Sequence, residues 1–121
     1  MKTVVIGAST NPKNPNRYSY LAVDELLRKG YEVEAIGSKE GNVKGVEIKG
    51  SKTVFENVDT VTLYVNPMIQ ESYYDYIVHL NPRRVIFNPG TENPEFLQLL
   101  KEAGIESEVA CTLVLLSTGE Y

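Results

Sequence analysis

The sequence is poor in the residues that build disulfides, metal centres and thiol catalysis. Among its 121 residues there is one cysteine, Cys111, and one histidine, His79. A single cysteine cannot form an internal disulfide, and one of each residue cannot make the usual zinc clusters. We therefore predict no metal site. The near absence of cysteine is typical of proteins of the reducing cytoplasm.

Long apolar runs and an excess of positive charge are also missing. No stretch approaches the roughly 18 apolar residues of a membrane span, and the opening MKTVVIG turns polar too soon for a signal peptide. The 12 Lys and Arg residues are outnumbered by 16 Asp and Glu, a net charge of −4, so no overall field favours nucleic acid or a membrane surface. We expect a soluble, unprocessed cytoplasmic protein with neither as partner, in which any bound anion is held locally.

What the chain does contain is an orderly alternation of short β-branched runs and longer segments with helical spacing, as in βαβ units. Strands are predicted at residues 2–8, 31–37, 60–65, 84–87 and 105–110, and helices at 18–29, 68–80 and from 94 to about 103. Residues 38–52 are glycine-rich and predicted as loop, although Val43, Val46 and Ile48 are compatible with a short edge segment. The length predicts one domain, residues 1–121.

Nearly all the predicted strands are apolar on both faces, which is typical of a parallel sheet covered by helices. With right-handed crossovers, we predict an α/β fold: a doubly wound, Rossmann-like, five-stranded parallel sheet of order 3-2-1-4-5 with helices on both faces. Ligands bind such sheets beyond the carboxyl ends of the strands, where the strand order reverses. Four segments follow predicted strands: residues 7–12 (GASTNP), 37–39 (GSK), 66–67 (NP) and 88–91 (NPGT).

Three of these four segments contain Asn-Pro. Proline fixes its own backbone and keeps the preceding residue out of the helical region, so each pair presents an amide side chain on a bent backbone. Asn-Pro is also ordinary turn chemistry, so a single pair leaves both interpretations open. Their shared position at strand ends favours a ligand-binding edge.

The first loop suits a phosphate, but it lacks the usual dinucleotide fingerprint. Gly7 permits a tight turn, Ser9 offers a hydroxyl and an amide, and the next helix points its positive end at the loop. The pattern GxGxxG would need glycine at positions 9 and 12, where Ser9 and Pro12 stand. Arg17, at the helix start, is compatible with a bidentate phosphate contact or with a solvated side chain.

Lys39 follows the second predicted strand, where dinucleotide enzymes carry an acid for the ribose hydroxyls. A lysine there suits a ribose phosphate, which favours coenzyme A or NADP over NAD. A lysine-bearing solvated loop is the other interpretation.

Taken together, these motifs resemble the small single-domain coenzyme A-binding proteins, which are related to the CoA-binding domain of succinyl-CoA synthetase. The resemblance covers essentially the whole chain and is carried by GASTNP with the downstream RYS, VNP after the third strand, NPG after the fourth and a lone cysteine after the fifth. It implies that the first loop and the following helix start receive the nucleotide phosphates. Two departures, Gly37-Ser38 in place of another Asn-Pro and Asn88 in place of a glutamine, affect the adenine side. The resulting cofactor-binding set is Gly7, Ala8, Ser9, Thr10, Asn11, Pro12, Arg17, Ser19, Ser38, Lys39, Asn66, Pro67, Asn88, Gly90 and Cys111.

The sequence offers no acid–base pair at this edge, so we predict binding without catalysis. His79 lies about ten residues along a helix, roughly 15 Å from the edge that Cys111 follows. Cys111 is compatible with a small core residue or with a thiol facing the end of a bound pantetheine.

The expected function is a cytoplasmic module for coenzyme A or an acyl-CoA. A small NADP enzyme and an interaction subunit that has lost its ligand remain alternatives. Tyr74, predicted to be exposed on its helix, is compatible with a homodimer face or an adenine contact, and core packing is the favoured interpretation for the tyrosines of this helix.

Overall fold

The computed structural model describes residues 1–9 and 17–121, with only the backbone of Arg17. The strands of this part of the chain are β1 (Lys2–Ile6), β2 (Glu32–Ile36), β3 (Gly41–Val43), β4 (Val46–Lys49), β5 (Val58–Leu63), β6 (Arg84–Phe87) and β7 (Glu106–Val109). The helices are α1 (Arg17–Arg28), α2 (Pro67–Gln70), α3 (Tyr74–Leu80), α4 (Pro94–Glu102) and α5 (Thr112–Thr118), with a 3-10 turn at Glu71–Tyr73.

The strands form one sheet in the order β3-β4-β2-β1-β5-β6-β7. Every neighbouring pair is parallel except β3 with β4. The predicted α/β class and Rossmann-like parallel sheet are confirmed. The predicted five-strand order 3-2-1-4-5 is wrong: the third predicted strand, β5, pairs with β1. The place beside β2 is taken by β4.

A tight hairpin explains this difference. Lys44 and Gly45 both have positive φ, 52° and 91°, as a two-residue type I′ turn requires, and the twist of this turn matches that of the strands it joins. Val43, Val46 and Ile48 are buried. The segment predicted as a loop with a short edge is therefore a pair of strands that extends the sheet beyond β2. Because β4 pairs with β2, strand β5 pairs with the other side of β1.

Helices cover both faces of the sheet, as predicted. On one face α3 and α4 bury Ile77, Phe96 and Leu100 against the strands. On the other, α1 and α5 contribute Val23, Leu26 and Leu116 to a second core. The central strands β1, β5 and β6 are thus enclosed on both sides, and their carboxyl ends are where sheets of this kind bind ligands.

Two predicted helices differ from the sequence interpretation. In α1 the residues Tyr18 and Leu21, expected on the buried stripe, are 49% and 42% exposed. The helix predicted at residues 68–80 is interrupted by the 3-10 turn. Tyr74 follows that turn and is half-buried rather than exposed; its ring stacks on Phe96 at 4.4 Å between centroids, in agreement with the favoured core packing.

Candidate functional site

The strand order reverses between β2 and β5, which flank β1 on opposite sides. Because parallel strands end at the same edge, the loops after β1, β2, β5, β6 and β7 meet there, as the general rule for such sheets predicts. This edge, called the carboxyl edge below, gathers ten of the predicted site residues: Gly7, Ala8, Ser9, Ser38, Lys39, Asn66, Pro67, Asn88, Gly90 and Cys111. The predicted residues Thr10, Asn11 and Pro12, and the side chain of Arg17, lie outside the described residues.

The loops after β1, β2 and β5 approach one another so closely that two glycines are required. A Cβ on Gly7, whose φ is +96°, would lie 2.9 Å from Cγ1 of Val65. A Cβ on Gly37 would lie 2.4 Å from the carbonyl oxygen of Ala8. The amides of Gly7 and Ala8 both donate to the carbonyl of Ile36, at 2.8 and 3.0 Å, and so hold the first loop against β2.

The edge of β2 is polar and exposed. Ser38 and Lys39 are both exposed. Lys49 forms an ion pair with Glu47 at 3.5 Å, whereas Lys39 makes no ion pair within the described part of the chain. Ser19, by contrast, is completely buried in α1. A cation is thus available beside the first loop.

The side chain of Asn88 uses its hydrogen-bonding groups within the protein. Its Nδ2 donates to the Thr62 hydroxyl at 2.6 Å and to the Leu63 carbonyl at 2.9 Å. Its Oδ1 accepts from the backbone amide of Thr112 at 2.8 Å. Only 1% of Asn88 is exposed. The side chain therefore ties β5, β6 and α5 together, and its direct contact with a ligand stays a prediction.

A cavity of about 280 Å³ opens between the loops after β5 and β6. Asn66 and Pro67 start α2 at its mouth: the Asn66 side chain accepts from the Ile69 amide at 3.0 Å, and Pro67 is the first helical residue. The amide of Gly90 donates to the carboxylate of Glu92 at 2.8 Å. The cavity is lined by Tyr64, Val65, Asn66, Ile69, Pro89, Gly90 and Thr91, none of which is charged at neutral pH. Larger open depressions of about 680 and 660 Å³ lie elsewhere, between α4 and β7 and at the amino ends of the strands.

Gln70, which the sequence analysis missed, joins the two loops of this cavity. It is completely buried, and its Nε2 donates to the carbonyls of Val65 and Thr91, both at 2.8 Å. Its Oε1 accepts from Nδ2 of Asn93 at 2.9 Å. The available signal was Pro67: a helix that begins there turns residue 70 inward, whereas Ile69, expected to be buried, is 47% exposed.

Cys111 and Tyr64 lie close together at the carboxyl edge, beside the start of α5. Cys111 is half-buried and directly precedes α5. Burial raises the pKa of the Tyr64 hydroxyl well above its usual range; the neighbouring Thr112 side chain opposes this shift, and Cys111 adds to it. His79 is exposed in the last turn of α3, which leads to the amino end of β6. Cys111 and His79 therefore lie at opposite ends of the sheet and cannot act as a nucleophile and its base.

A family model described as the CoA binding domain matches residues 1–117. The chain belongs to the CoA-binding domain family. A search of the curated proteins finds no significant match to this CoA-binding domain.

Solved structures share its fold. A crystal structure of an uncharacterized protein is 50% identical, with a TM-score of 0.94 and coverage of 99% of this chain and 97% of that one. A conserved hypothetical protein of Pyrococcus furiosus is 27% identical (TM-score 0.76, coverage 88% and 90%). A protein of Thermus thermophilus, at 24% identity, shows the fold alone (TM-score 0.85, coverage 99% and 90%).

The carboxyl edge of this CoA-binding domain fits the chemistry of coenzyme A, which combines phosphates with a long uncharged arm. Lys39 supplies an exposed cation, and the cavity between the loops after β5 and β6 has no charged lining residue. Among residues 1–9 and 17–121, no three His, Cys, Asp or Glu side chains cluster as a metal site would need. No helix within those ranges is long and apolar enough to cross a membrane.

Proposed function

We propose that this chain is a non-catalytic cytoplasmic module that binds coenzyme A or an acyl-CoA at its carboxyl edge. The observation that carries the proposal is the uncharged cavity beside the point of strand reversal, in a chain whose family is the CoA-binding domain. An uncharged cavity suits the pantetheine arm, because burying a charge there would require a partner.

The phosphates would lie at the first loop and the start of α1. Ser9 offers a hydroxyl and an amide, and Arg17 a bidentate guanidinium. Gly7 and Ala8 would shape this loop, since their amides already bond to Ile36. The predicted contacts of Thr10, Asn11 and Pro12 belong to the same loop. Ser19 would act from within α1, because it is buried.

The adenosine would lie near Ser38 and Lys39, with the 3′-phosphate paired to the Lys39 ammonium. From there the arm would run to the cavity at Asn66, Pro67 and Gly90 and end near Cys111.

An alternative with the same cation at Lys39 is NADP, whose 2′-phosphate has similar chemistry. Binding without catalysis is supported by the separation of His79 from Cys111 and by Glu92, whose carboxylate is held by the Gly90 amide.

A thermal-shift comparison of coenzyme A, dephospho-CoA, NADP and NAD tests this proposal. A ligand at a hundredfold its dissociation constant adds about 2.7 kcal/mol of stability, which raises the melting temperature of a domain this size by several degrees. We expect a shift with coenzyme A that is smaller with dephospho-CoA. The difference should vanish in Lys39→Ala, because the lost cation no longer recognises the 3′-phosphate.

Lys101→Ala is the matched control, since it removes the same charge from the last turn of α4. It should keep the difference between coenzyme A and dephospho-CoA. A shift with NADP alone would transfer the proposal to the NADP alternative. No shift with any of the four ligands would refute a nucleotide-binding function.

A further inference from the structure

One side chain, Gln70, bridges the two loops that border the cavity after β5 and β6. Gln70 donates two hydrogen bonds, one to a carbonyl from each loop: Val65 after β5 and Thr91 after β6. Both distances are 2.8 Å, and both residues line the cavity. A single amide group therefore connects the two loops.

The side-chain amide of Asn93 fixes the orientation of the Gln70 amide. Oδ1 of Asn93 accepts from the Phe96 amide at 3.2 Å and begins α4, so Nδ2 of Asn93 must point the other way. That nitrogen donates to Oε1 of Gln70 and to the Tyr74 hydroxyl, at 2.9 and 2.8 Å. With its oxygen held in this way, Gln70 can only turn its two N–H groups toward the loops.

No other residue type of this length supplies two N–H donors and one acceptor in one plane. An apolar residue would leave two carbonyls and one amide unpaired, and a carboxylate would face two carbonyls with repulsion. Gln70 is fully buried and does not line the cavity, so its influence on a ligand must pass through Val65 and Thr91.

We propose that Gln70 is a positioning residue that sets the spacing of the two loops and thereby makes the cavity selective for the uncharged arm of a nucleotide ligand. The inference rests on the proposed function, and it assigns specificity for the arm to a side chain that does not touch it. The nucleotide half of the ligand, bound at the first loop, should not depend on Gln70.

The test compares two ligands by calorimetry: coenzyme A, and adenosine 3′,5′-bisphosphate, which lacks the arm. In Gln70→Glu the side chain keeps its size but cannot supply both donors, because a carboxylate has none and a carboxylic acid has one. We expect the affinity for coenzyme A to fall about tenfold. The affinity for the bisphosphate should change by less than about twofold. Gln70→Met, which removes the donors without adding a charge, should show the same selective loss if the glutamate variant does not fold.

Thr60→Val is the matched control, because it removes a buried hydrogen-bond partner of Arg84 at the opposite edge of the sheet. It should lower stability and leave both affinities unchanged. An equal loss for the two ligands in the Gln70 variants, or no loss for either, overturns the role of Gln70. If the wild-type protein binds the bisphosphate but not coenzyme A, or binds neither, the proposed function itself fails.

Discussion

Gly37 leaves no room for a side chain at the carboxyl edge. It lies where β2 gives way to its loop, and its amide donates to the Lys49 carbonyl of β4 at 3.0 Å. Its α-carbon also faces the carbonyl of Ala8 in the first loop. One residue thus sets how closely the loops after β1 and β2 can approach, and this constraint comes from backbone alone.

We predict that Gly37→Ala destabilises the protein by about 3 kcal/mol, because the new methyl group meets a backbone oxygen that cannot swing aside. Displacing Ala8 should also weaken coenzyme A binding. Gly30→Ala is the control: its φ is +85° and nothing lies within 4 Å of the new Cβ, so only the backbone strain of about 1 kcal/mol remains. Urea unfolding measures both changes, and equal losses would contradict the close approach at Gly37.

Among the elements, those with a strong apolar pattern were predictable and those decided by contacts were not. β1, β5 and β6 were found because short apolar runs rich in β-branched residues are typical of buried strands. The β3–β4 hairpin was predicted only as a loop compatible with a short edge segment, because residues 38–52 are rich in glycine and lysine. Its type I′ turn also places Lys44 at positive φ, which no sequence pattern indicates. Asn88 and Gln70 were harder still, since their roles depend on partners distant in the chain.

The hydrogen bonds of Asn88 connect β5, β6 and α5. We predict that Asn88→Ala destabilises the protein by about 3 kcal/mol. The change leaves the Thr112 amide and the Leu63 carbonyl buried without their partner, each at a cost of about 1–3 kcal/mol. Since Thr112 begins α5, amide exchange in α5 should quicken more than exchange in α3.

Asn42→Ala provides the comparison. Asn42 is exposed, and its side chain accepts one hydrogen bond, from the Gly45 amide at 2.9 Å. Its removal should cost no more than about 1 kcal/mol. If amide exchange in Asn88→Ala accelerates equally across the protein, Asn88 does not act locally on α5.

For the molecule as a whole, the two edges of the sheet have different tasks. The carboxyl edge carries the proposed site, and the amino edge carries two arginines that bind neighbouring parts of the protein. Arg84 is only 6% exposed, donates to the Tyr121 backbone oxygen at 2.7 Å and lies 4.5 Å from the centre of the Tyr121 ring. Beside it, Arg83 binds both carboxylate oxygens of Asp59, at 2.9 and 3.2 Å. Stability can therefore be changed at one edge without touching the other.

The Arg83 guanidinium holds the pKa of Asp59 below its usual value. A carboxyl with a lower pKa in the folded state stabilises the fold above its unfolded pKa, about 3.9, and this contribution is lost as the pH falls through the folded value. We predict that Arg83→Gln is less stable than wild type at pH 7 and that the difference narrows below about pH 4. Coenzyme A affinity at pH 7 should be unchanged.

Denaturant unfolding across this pH range measures the effect. Arg28→Gln, which breaks an exposed contact with Asp24 at 4.0 Å, should change stability little at any pH. A constant difference between wild type and Arg83→Gln from pH 7 to pH 3 would refute the linkage.

The central position of β1 also has a consequence for how the chain folds. β1 is the first strand in the sequence, yet its two neighbours are β2 and β5, and pairs such as Ile6 with Leu63 join residues far apart in the chain. Closing such a long loop costs entropy before any pairing is gained, so proteins rich in distant contacts fold slowly. Until β5 has emerged from the ribosome, one side of β1 has no strand to pair with. On that side, β1 must therefore wait until synthesis has passed Leu63.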